Sequence, residues 1–174
     1  MDKDVLIKFI SMKSKIFIQL VIILFLTSFS SISFAQNNSD NHDHSNTFEI
    51  GIANSLVYFG NEDQINYGLH FHFVKNLNHT KFGIGIGYEK IFDEHNHNSL
   101  GIILAYSPIP EMHISLSPGI AFEGGEISDS MFAIHMESAY DFEYDNIHFG
   151  PLLEFAYDIE DYHISLGLHI GLAL

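Results

Sequence analysis

The stretch Phe82–Glu89, FGIGIGYE, decides the fold, because an apolar side chain occurs at every second position and glycine fills most of the others. Strict alternation of this kind is typical of a strand with one apolar face and one different face. The closing stretch Tyr162–Leu174, YHISLGLHIGLAL, repeats the pattern, as do six further segments after residue 46. The sequence from Thr47 onward therefore predicts strands rather than helices.

Eight strands are predicted, and turn residues separate them. The segments are 47–59, 65–74, 80–91, 98–107, 111–123, 131–142, 146–158 and 162–174. Their lengths suit tilted strands that cross a bilayer. The apolar face recurs on every strand, and the other face carries glycine, alanine, serine, histidine and glutamate. This pattern favours an all-β fold: an eight-stranded antiparallel up-and-down transmembrane β-barrel with short loops and a filled polar interior.

The main alternative is a soluble lipocalin-like barrel in which the two faces are reversed. Its outer surface would then be poor in the lysine and glutamate that keep soluble sheets apart. Tyrosines near the strand ends instead suit an aromatic girdle at a lipid–water boundary. Pro118 and Pro151 lie within predicted strands, so we expect a bulge at each.

The first 46 residues are predicted to lie outside the barrel. Lys13 and Lys15 precede an apolar run from Ile16 to Phe29, and Ser33-Phe34-Ala35 offers a cleavage position. We therefore expect a cleaved signal peptide over 1–35, with Met12 as an alternative start. Residues 36–46 contain no apolar side chain and predict a disordered leader, and the barrel follows over 47–174.

The amino-acid composition narrows the range of possible functions. The net charge is −15, there is no arginine and no cysteine, and only Lys75, Lys81 and Lys90 are basic after the signal. Nucleic-acid binding through phosphate contacts is therefore not expected. Disulfides and thiolate metal sites are excluded.

From Thr47 to Leu174 the chain resembles the small eight-stranded outer-membrane barrels, and it looks like the short barrels common in the Bacteroidetes group. The resemblance rests on the alternating pattern rather than on a motif. It implies the outer membrane of a Gram-negative bacterium, with outer-membrane lipids and the barrel-assembly machinery as partners. Such barrels often end in an aromatic residue read by that machinery, whereas this chain ends Gly171-Leu172-Ala173-Leu174.

Histidines form the most unusual feature of the predicted inner face. Alternation places seven of them inward together with four glutamates: His70, His72, His113, His135, His148, His163 and His169, with Glu49, Glu89, Glu137 and Glu154. Imidazole and carboxylate groups in one lumen are suitable ligands for zinc or copper. The candidate metal ligands are His70, His72, His113, His135, Glu137, His148 and His169.

Simple packing is the other interpretation of these histidines, because large polar groups beside glycine fill a narrow barrel. Hairpin counting places His70 and His72 beside Gly85 and Gly83 on one side, and beside Ala53 and Gly51 on the other. It also places His135 opposite Gly119, and Glu154 opposite Ala133 and Gly167. Buried carboxylates then pair with histidine, since almost no lysine is available.

Three weaker features remain. The outer loops are rich in acidic residues and could bind calcium or magnesium, or could be only a solvated rim; they carry Glu62, Asp63, Asp93, Glu94, Glu123, Glu126, Asp129, Asp158, Glu160 and Asp161, with His95 and His97. His42-Asp43-His44 in the leader is a weak copper or zinc motif. A lipid-modifying enzyme would need His163 and Ser165 with Asp158 or Asp161, but no oxyanion element is recognisable.

The sequence thus favours a non-enzymatic outer-membrane barrel with a packed His/Glu lumen and a structural or interaction role. A metal-binding barrel is the second hypothesis, and a lipid-modifying enzyme the third.

Overall fold

The computed structural model describes residues 48–60 and 64–174. The predicted signal peptide (1–35), the predicted leader (36–46) with its His42-Asp43-His44 motif, and the rim residues Glu62 and Asp63 lie outside the described residues. No helix in the described part of the chain is long and apolar enough to cross a membrane.

Nine strand segments account for most of the described residues. They are β1 (Phe48–Phe59), β2 (Gln64–Asn76), β3 (Phe82–Phe92), β4 (Asn98–Ile109), β5 (Met112–Phe122), β6 (Met131–Tyr140), β7 (Phe142–Tyr144), β8 (Ile147–Asp158) and β9 (Tyr162–Ala173). The predicted strand ends agree with these bounds to within about two residues, which is the precision expected of such boundaries.

The sheet closes on itself. Consecutive strands pair antiparallel, and β1 pairs with β2 on one side and with β9 on the other. Segments β6 and β7 both pair with β8, in one continuous register that runs from Ala139↔Leu152 to Phe142↔Phe149. They are therefore two parts of one barrel strand, and the eight-stranded antiparallel barrel predicted from the sequence is confirmed.

The prediction of a bulge at each of the two prolines is wrong. Pro118 pairs with Ile134 in an unbroken register, and the register of β8 with β9 is unbroken at Pro151. Proline removes one N–H from the ladder, and here that loss adds no extra residue to the strand. The gap between β6 and β7 falls opposite Gly150 and Pro151, where pairing is interrupted but the count of residues is preserved.

The apolar face points outward, which overturns the alternative with reversed faces. The outward side chains of β3 illustrate this, since Phe82, Ile84 and Ile86 are 57%, 48% and 59% exposed. Inward side chains of the same barrel are buried, among them Val57, Leu152 and Ser165 at 0–1% exposure. An apolar exterior around a polar lumen is the arrangement of a barrel that contacts lipid.

The two ends of the barrel differ in their connections. At one end, here the loop end, the strands are joined by residues 60–63, 93–97, 123–130 and 159–161. At the other, here the turn end, residues 77–81, 110–111 and 145–146 join them, beside the first and last strand residues. The loops are short, as predicted, and the longest contains a single 3-10 turn at Ile127–Asp129.

Several predicted strand registers are wrong by two or four residues. His70 and His72 do lie opposite Ala53 and Gly51, as predicted. On the other side they pair with Glu89 and Gly87, not with Gly85 and Gly83. The reason is the turn between β2 and β3, which centres on His79 and Thr80. His79 takes a positive φ of 57°, and the Thr80 hydroxyl donates a 2.9 Å hydrogen bond to Leu77 O.

The other register errors concern the neighbours of the lumen residues. His135 pairs with Ser117 rather than Gly119. Glu154 pairs with Glu137 rather than Ala133, and with Ser165 rather than Gly167. The tight turn at Asp145, whose φ is 53°, sets the first of these two registers. Two carboxylates therefore lie side by side where the sequence predicted a carboxylate beside alanine.

Candidate functional site in the barrel lumen

The strands bring all seven inward histidines into the lumen, as predicted. Five carboxylates join them there: the four glutamates that were predicted to face inward, and Asp141, which was not predicted to do so. The Asp141 side chain is 0% exposed, because it continues the inward series of Glu137 and Ala139 along the same strand. Residues 135, 137 and 139 all face inward, and continuing this alternation to residue 141 would have identified Asp141 as inward too.

Among the described residues, no lysine is observed in contact with these carboxylates. Lys75 and Lys90 lie over the rings of Phe48 and Phe92, at 5.4 and 5.7 Å. The Lys81 ammonium donates a 2.5 Å hydrogen bond to Pro108 O. Imidazoles are therefore the groups that contact the buried carboxylates and can compensate their negative charge.

One set of lumen side chains lies near the turn end, and we call it the turn-end cluster. It consists of Glu49, His72, His113, Asp141, His148 and His169. A chain of short contacts crosses this cluster. His72 Nε2 lies 3.1 Å from Glu49 Oε1 and 3.3 Å from His169 Nε2, and His169 Nδ1 lies 3.2 Å from Asp141 Oδ1.

Donors and acceptors in this chain can be assigned with neutral rings. An ionised carboxylate only accepts, so His169 Nδ1–H donates to Asp141 and His72 Nε2–H donates to Glu49. The one hydrogen on His72 Nε2 is therefore shared between Glu49 Oε1 and the lone pair of His169 Nε2. The remaining two histidines lie farther from their acids: His113 Nε2 is 3.6 Å from Asp141 Oδ2, and His148 Nε2 is 3.3 Å from Glu49 Oε1.

A second set lies nearer the loop end, and we call it the loop-end cluster. It consists of His70, Glu89, His135, Glu137, Glu154 and His163. His135 Nδ1 is central to it, at 2.6 Å from Glu154 Oε1 and 3.5 Å from Glu89 Oε2. His163 Nε2 faces the same two carboxylates at 3.8 and 3.7 Å. His70 Nδ1 pairs with Glu137 Oε2 at 3.1 Å.

Apolar side chains separate and cover the clusters. Ala139 and Leu152 lie between them along β6 and β8, and both are buried with Ala53. On β2 the clusters meet, since the His70 and His72 rings are 5.6 Å apart. Toward the loop end, the Phe59 ring lies 5.2 Å from that of His163 and 5.1 Å from that of His97. Phe59 thus closes the lumen above the loop-end cluster.

Some buried polar atoms have no hydrogen-bond partner among the described residues. In the loop-end cluster these are Glu89 Oε1 and His163 Nε2, and in the turn-end cluster they are Asp141 Oδ2 and His148 Nε2. Such atoms are costly unless an ion, a proton or water satisfies them. Two small cavities flank the loop-end cluster, each of about 20 Å³, which is room for one water molecule or ion.

The rim carboxylates at the loop end are engaged in their own loops. Asp93 accepts a hydrogen bond from the His97 backbone N–H and contacts the His97 ring. Asp158 Oδ1 accepts 2.8 Å hydrogen bonds from the backbone N–H groups of Glu160 and Asp161. Glu123 faces His97, with 3.4 Å between Oε1 and Nε2. Among the described rim residues, no three such ligand atoms lie within 4.8 Å of one another.

The seven predicted metal ligands are divided between the two clusters. His72, His113, His148 and His169 are in the turn-end cluster, whereas His70, His135 and Glu137 are in the loop-end cluster. Groups of ligand atoms within 4.8 Å of one another involve four residues that were predicted to face inward but not to bind metal: Glu49, Glu89, Glu154 and His163. They were not predicted as ligands, because the strand register decides which inward side chains lie close to one another.

The residues proposed for an enzyme do not form a catalytic set. Ser165 is 0% exposed, and its Oγ has no hydrogen-bond partner among the described residues. His163 is directed at Glu89 and Glu154 instead, and Asp158 caps its own turn.

Known structures share this fold. No family model matches the sequence, and no curated protein matches it. A de novo designed transmembrane β-barrel aligns with a TM-score of 0.52 at 10% identity, over 75% of this chain and 97% of the design. Neisserial surface protein A aligns with a TM-score of 0.52 at 10% identity, over 73% of this chain and 96% of that one. The N-terminal barrel domain of Pseudomonas aeruginosa OprF gives 0.51 at 17% identity, over 75% and 98%. At these identities the likeness shows the fold alone.

Proposed function

We propose that this chain is an integral outer-membrane protein of a Gram-negative bacterium, with a closed lumen and a structural or interaction role rather than a catalytic or pore-forming one. The observation that carries the proposal is the pairing of an exposed apolar exterior with a lumen sealed by buried side chains. Val57, Leu152 and Ser165 are at most 1% exposed, so side chains fill the cross-section. Outer-membrane lipids are the partners of the exterior, and the barrel-assembly machinery inserts it.

The fold likeness supports this location, because the similar structures include a Neisserial surface protein and a designed transmembrane β-barrel. The exterior supports it independently. Outward tyrosines occur toward both ends, for example Tyr67 and Tyr157 near the loops and Tyr106 near the turns. Tyrosine is enriched at the boundary between lipid and water.

Two equally exposed isoleucines provide a direct test of membrane insertion. Ile86 lies in the middle of β3 and is 59% exposed, whereas Ile127 lies in a loop and is 61% exposed. In water the two would tolerate lysine equally. In a bilayer, Ile86→Lys costs about 2–4 kcal/mol near the midplane, while Ile127→Lys is expected to be neutral.

The measurement is gel mobility of boiled and unboiled outer-membrane fractions, followed by urea unfolding in lipid vesicles. We expect a heat-dependent mobility shift for the wild type and for Ile127→Lys, and a loss of folded protein for Ile86→Lys. Equal behaviour of the two variants in a soluble protein would reject the membrane barrel. A stable, large single-channel conductance would reject the closed lumen.

A second candidate function is binding of a transition-metal ion, zinc or copper, in the lumen. The observation in its favour is that three groups of His and Glu side chains place ligand atoms within 4.8 Å of one another. Metal analysis of purified protein and titration with zinc and copper test it. Weak, non-saturating binding would remove its support. Calcium or magnesium binding at the rim is less favoured, since Asp93 and Asp158 already accept hydrogen bonds from their own loops.

A further inference from the structure

We propose that the loop-end cluster is a four-ligand site for one zinc-class divalent ion, with Glu89, His135, Glu154 and His163 as ligands. The inference rests on the second candidate function and names its site. His163 Nε2 is buried without a hydrogen-bond partner, and so is Glu89 Oε1, the carboxylate oxygen beside the Oε2 that faces the histidines, and both residues are more than nine-tenths buried. The remaining pair of the cluster, His70 and Glu137, lies beside the ligands.

Geometry is the first argument. Ligand atoms about 2.0–2.1 Å from a tetrahedral zinc ion lie roughly 3.3–3.4 Å from one another. Three of the observed separations are close to that edge. They are 3.5 Å for His135 Nδ1 to Glu89 Oε2, and 3.7 and 3.8 Å for His163 Nε2 to Glu89 Oε2 and Glu154 Oε1. The 2.6 Å bond between His135 and Glu154 would open slightly when an ion enters.

Charge is the second argument. Glu89 and Glu154 are 3% and 2% exposed, and their ion-pair contacts are with imidazoles. Two buried carboxylates need compensating positive charge. One divalent ion neutralises both and satisfies His163 Nε2 at the same time. It also leaves the imidazole rings neutral, which is the form that binds metal.

Access is the third argument. One of the flanking cavities is lined by Glu89, His135 and His163, and it continues to His97 and Asp158. His97 in turn faces Glu123, whose side chain is 43% exposed at the loop end. The other cavity is lined by His70, Glu137 and Glu154 on the inner side of the cluster. An ion entering from the loop end would pass His97 and Asp158, beside the apolar side chains of Phe59, Ile91 and Ala121, before it reaches the ligands.

The ligand types determine the class of ion. Two imidazoles and two carboxylates suit zinc and related transition ions, whereas calcium and magnesium require an all-oxygen set. Copper binds more tightly than zinc to most nitrogen and oxygen sites, so tight copper binding alone would not identify this site. Zinc, with cobalt as a spectroscopic substitute that reports tetrahedral geometry, is the appropriate probe.

The experiment is calorimetric titration of zinc into the detergent-purified chain after chelator treatment. Glu89→Gln and His163→Gln remove one ligand each, and His148→Gln in the turn-end cluster is the matched control. We expect one zinc per chain for the wild type and for His148→Gln. Each loop-end variant is expected to lose about 10- to 100-fold or more in affinity, which is the range seen even for residues that only support a ligand. Lowering the pH from about 7.5 to about 5.5 should weaken binding, because protons compete for the histidines.

Each result has a distinct meaning. Saturable binding that is lost in the loop-end variants and kept in His148→Gln supports the site. Binding that is lost only in His148→Gln overturns this assignment but keeps a metal-binding lumen. No saturable binding in the wild type overturns both, and leaves the closed barrel intact.

Folding of each variant is checked by its heat-dependent mobility. If the loop-end variants do not fold, histidine-labelled wild-type protein is examined by NMR with and without zinc. Shifts of the His135 and His163 ring nitrogens support the site, and shifts confined to His148 and His169 overturn it.

Discussion

The turn-end and loop-end clusters each contain six side chains, but they balance charge differently. The turn-end cluster has four histidines and two carboxylates, and hydrogen bonds join Glu49, His72, His169 and Asp141 in one chain. The loop-end cluster has three of each, and two of its carboxylates converge on His135. Each cluster keeps two buried polar atoms without a hydrogen-bond partner among the described residues. The clusters therefore differ in charge: histidines outnumber carboxylates four to two near the turns, whereas the two types are equal in number near the loops, where two carboxylates converge on one imidazole.

The largest expected effect of a single substitution is at Asp141. This carboxylate is fully buried, accepts from His169, and faces His113 and His148. Removing this acceptor leaves the buried His169 N–H without a partner, which costs about 1–3 kcal/mol and more where the lost group is charged, so Asp141→Ala should lower the free energy of unfolding by about 3 kcal/mol. Urea unfolding in lipid vesicles is the measurement.

Asp129→Ala, in the exposed loop turn, is the control for that change and should leave stability unaltered. Asp141→Asn keeps an oxygen that can accept from His169, and it should cost less than alanine. Equal stability of Asp141→Ala and the wild type would show that the turn-end network contributes nothing to folding.

Strand faces were predictable from the sequence, and strand partners were not. Side chains alternate with a period of two, so a register error of two or four residues keeps every side chain on its face. His135 is inward whether it lies opposite Gly119 or Ser117. The turns that set the register depend on single residues with positive φ, such as His79 and Asp145. Neither is a glycine, and the polar residues around each of them allow more than one position for the turn.

The candidate site depends on those registers. The inward histidines and glutamates were identified correctly as a set, but which of them meet was not. Glu89 pairs with His70 across β2 and β3 only because the turn between these strands is centred two residues later than expected. Asp141 was missed for another reason: its neighbours Glu143 and Asp145 made it resemble part of a polar turn. The membership of each cluster therefore follows from the strand pairing and not from the alternation alone.

Two glycines, one beside each cluster, allow a comparison in which the expected changes in stability are smaller. A Cβ at Gly51 would collide with the His72 ring and lie 2.8 Å from His169 Nε2. Both imidazoles belong to the turn-end chain and are buried. We expect Gly51→Ala to cost about 1–3 kcal/mol through overpacking.

Gly87 is the matching position in the loop-end cluster. A Cβ there would lie 2.8 Å from His70 Nε2 and 3.0 Å from Ile103 Cδ1. Gly87 and His70 both line a cavity, so the ring has room to move. We expect Gly87→Ala to cost less than about 1 kcal/mol, well below the overpacking range. Unfolding of the two variants in parallel tests this, and an equal cost would mean that the two clusters are packed alike.

In metal-free protein the smallest expected effect is at Glu89, and it is also the most specific, because it changes sign when zinc is added. In metal-free protein, Glu89 has an unpartnered oxygen and lies near a second carboxylate, Glu154. Glu89→Gln keeps the size of the side chain and removes one buried negative charge. Because an uncompensated buried charge is unfavourable, this variant should match the wild type or exceed it by up to about 1 kcal/mol when zinc is absent.

With zinc present, the order should reverse. Zinc at about 100 times its dissociation constant stabilises a protein that binds it by about 2.7 kcal/mol, and Glu89→Gln forfeits most of that gain. Unfolding of both proteins with zinc and with chelator gives the four values required. If Glu89→Gln is destabilised equally under both conditions, Glu89 has the same packing role as the turn-end acids. The contrast between the two clusters would then lie only in their number of histidines.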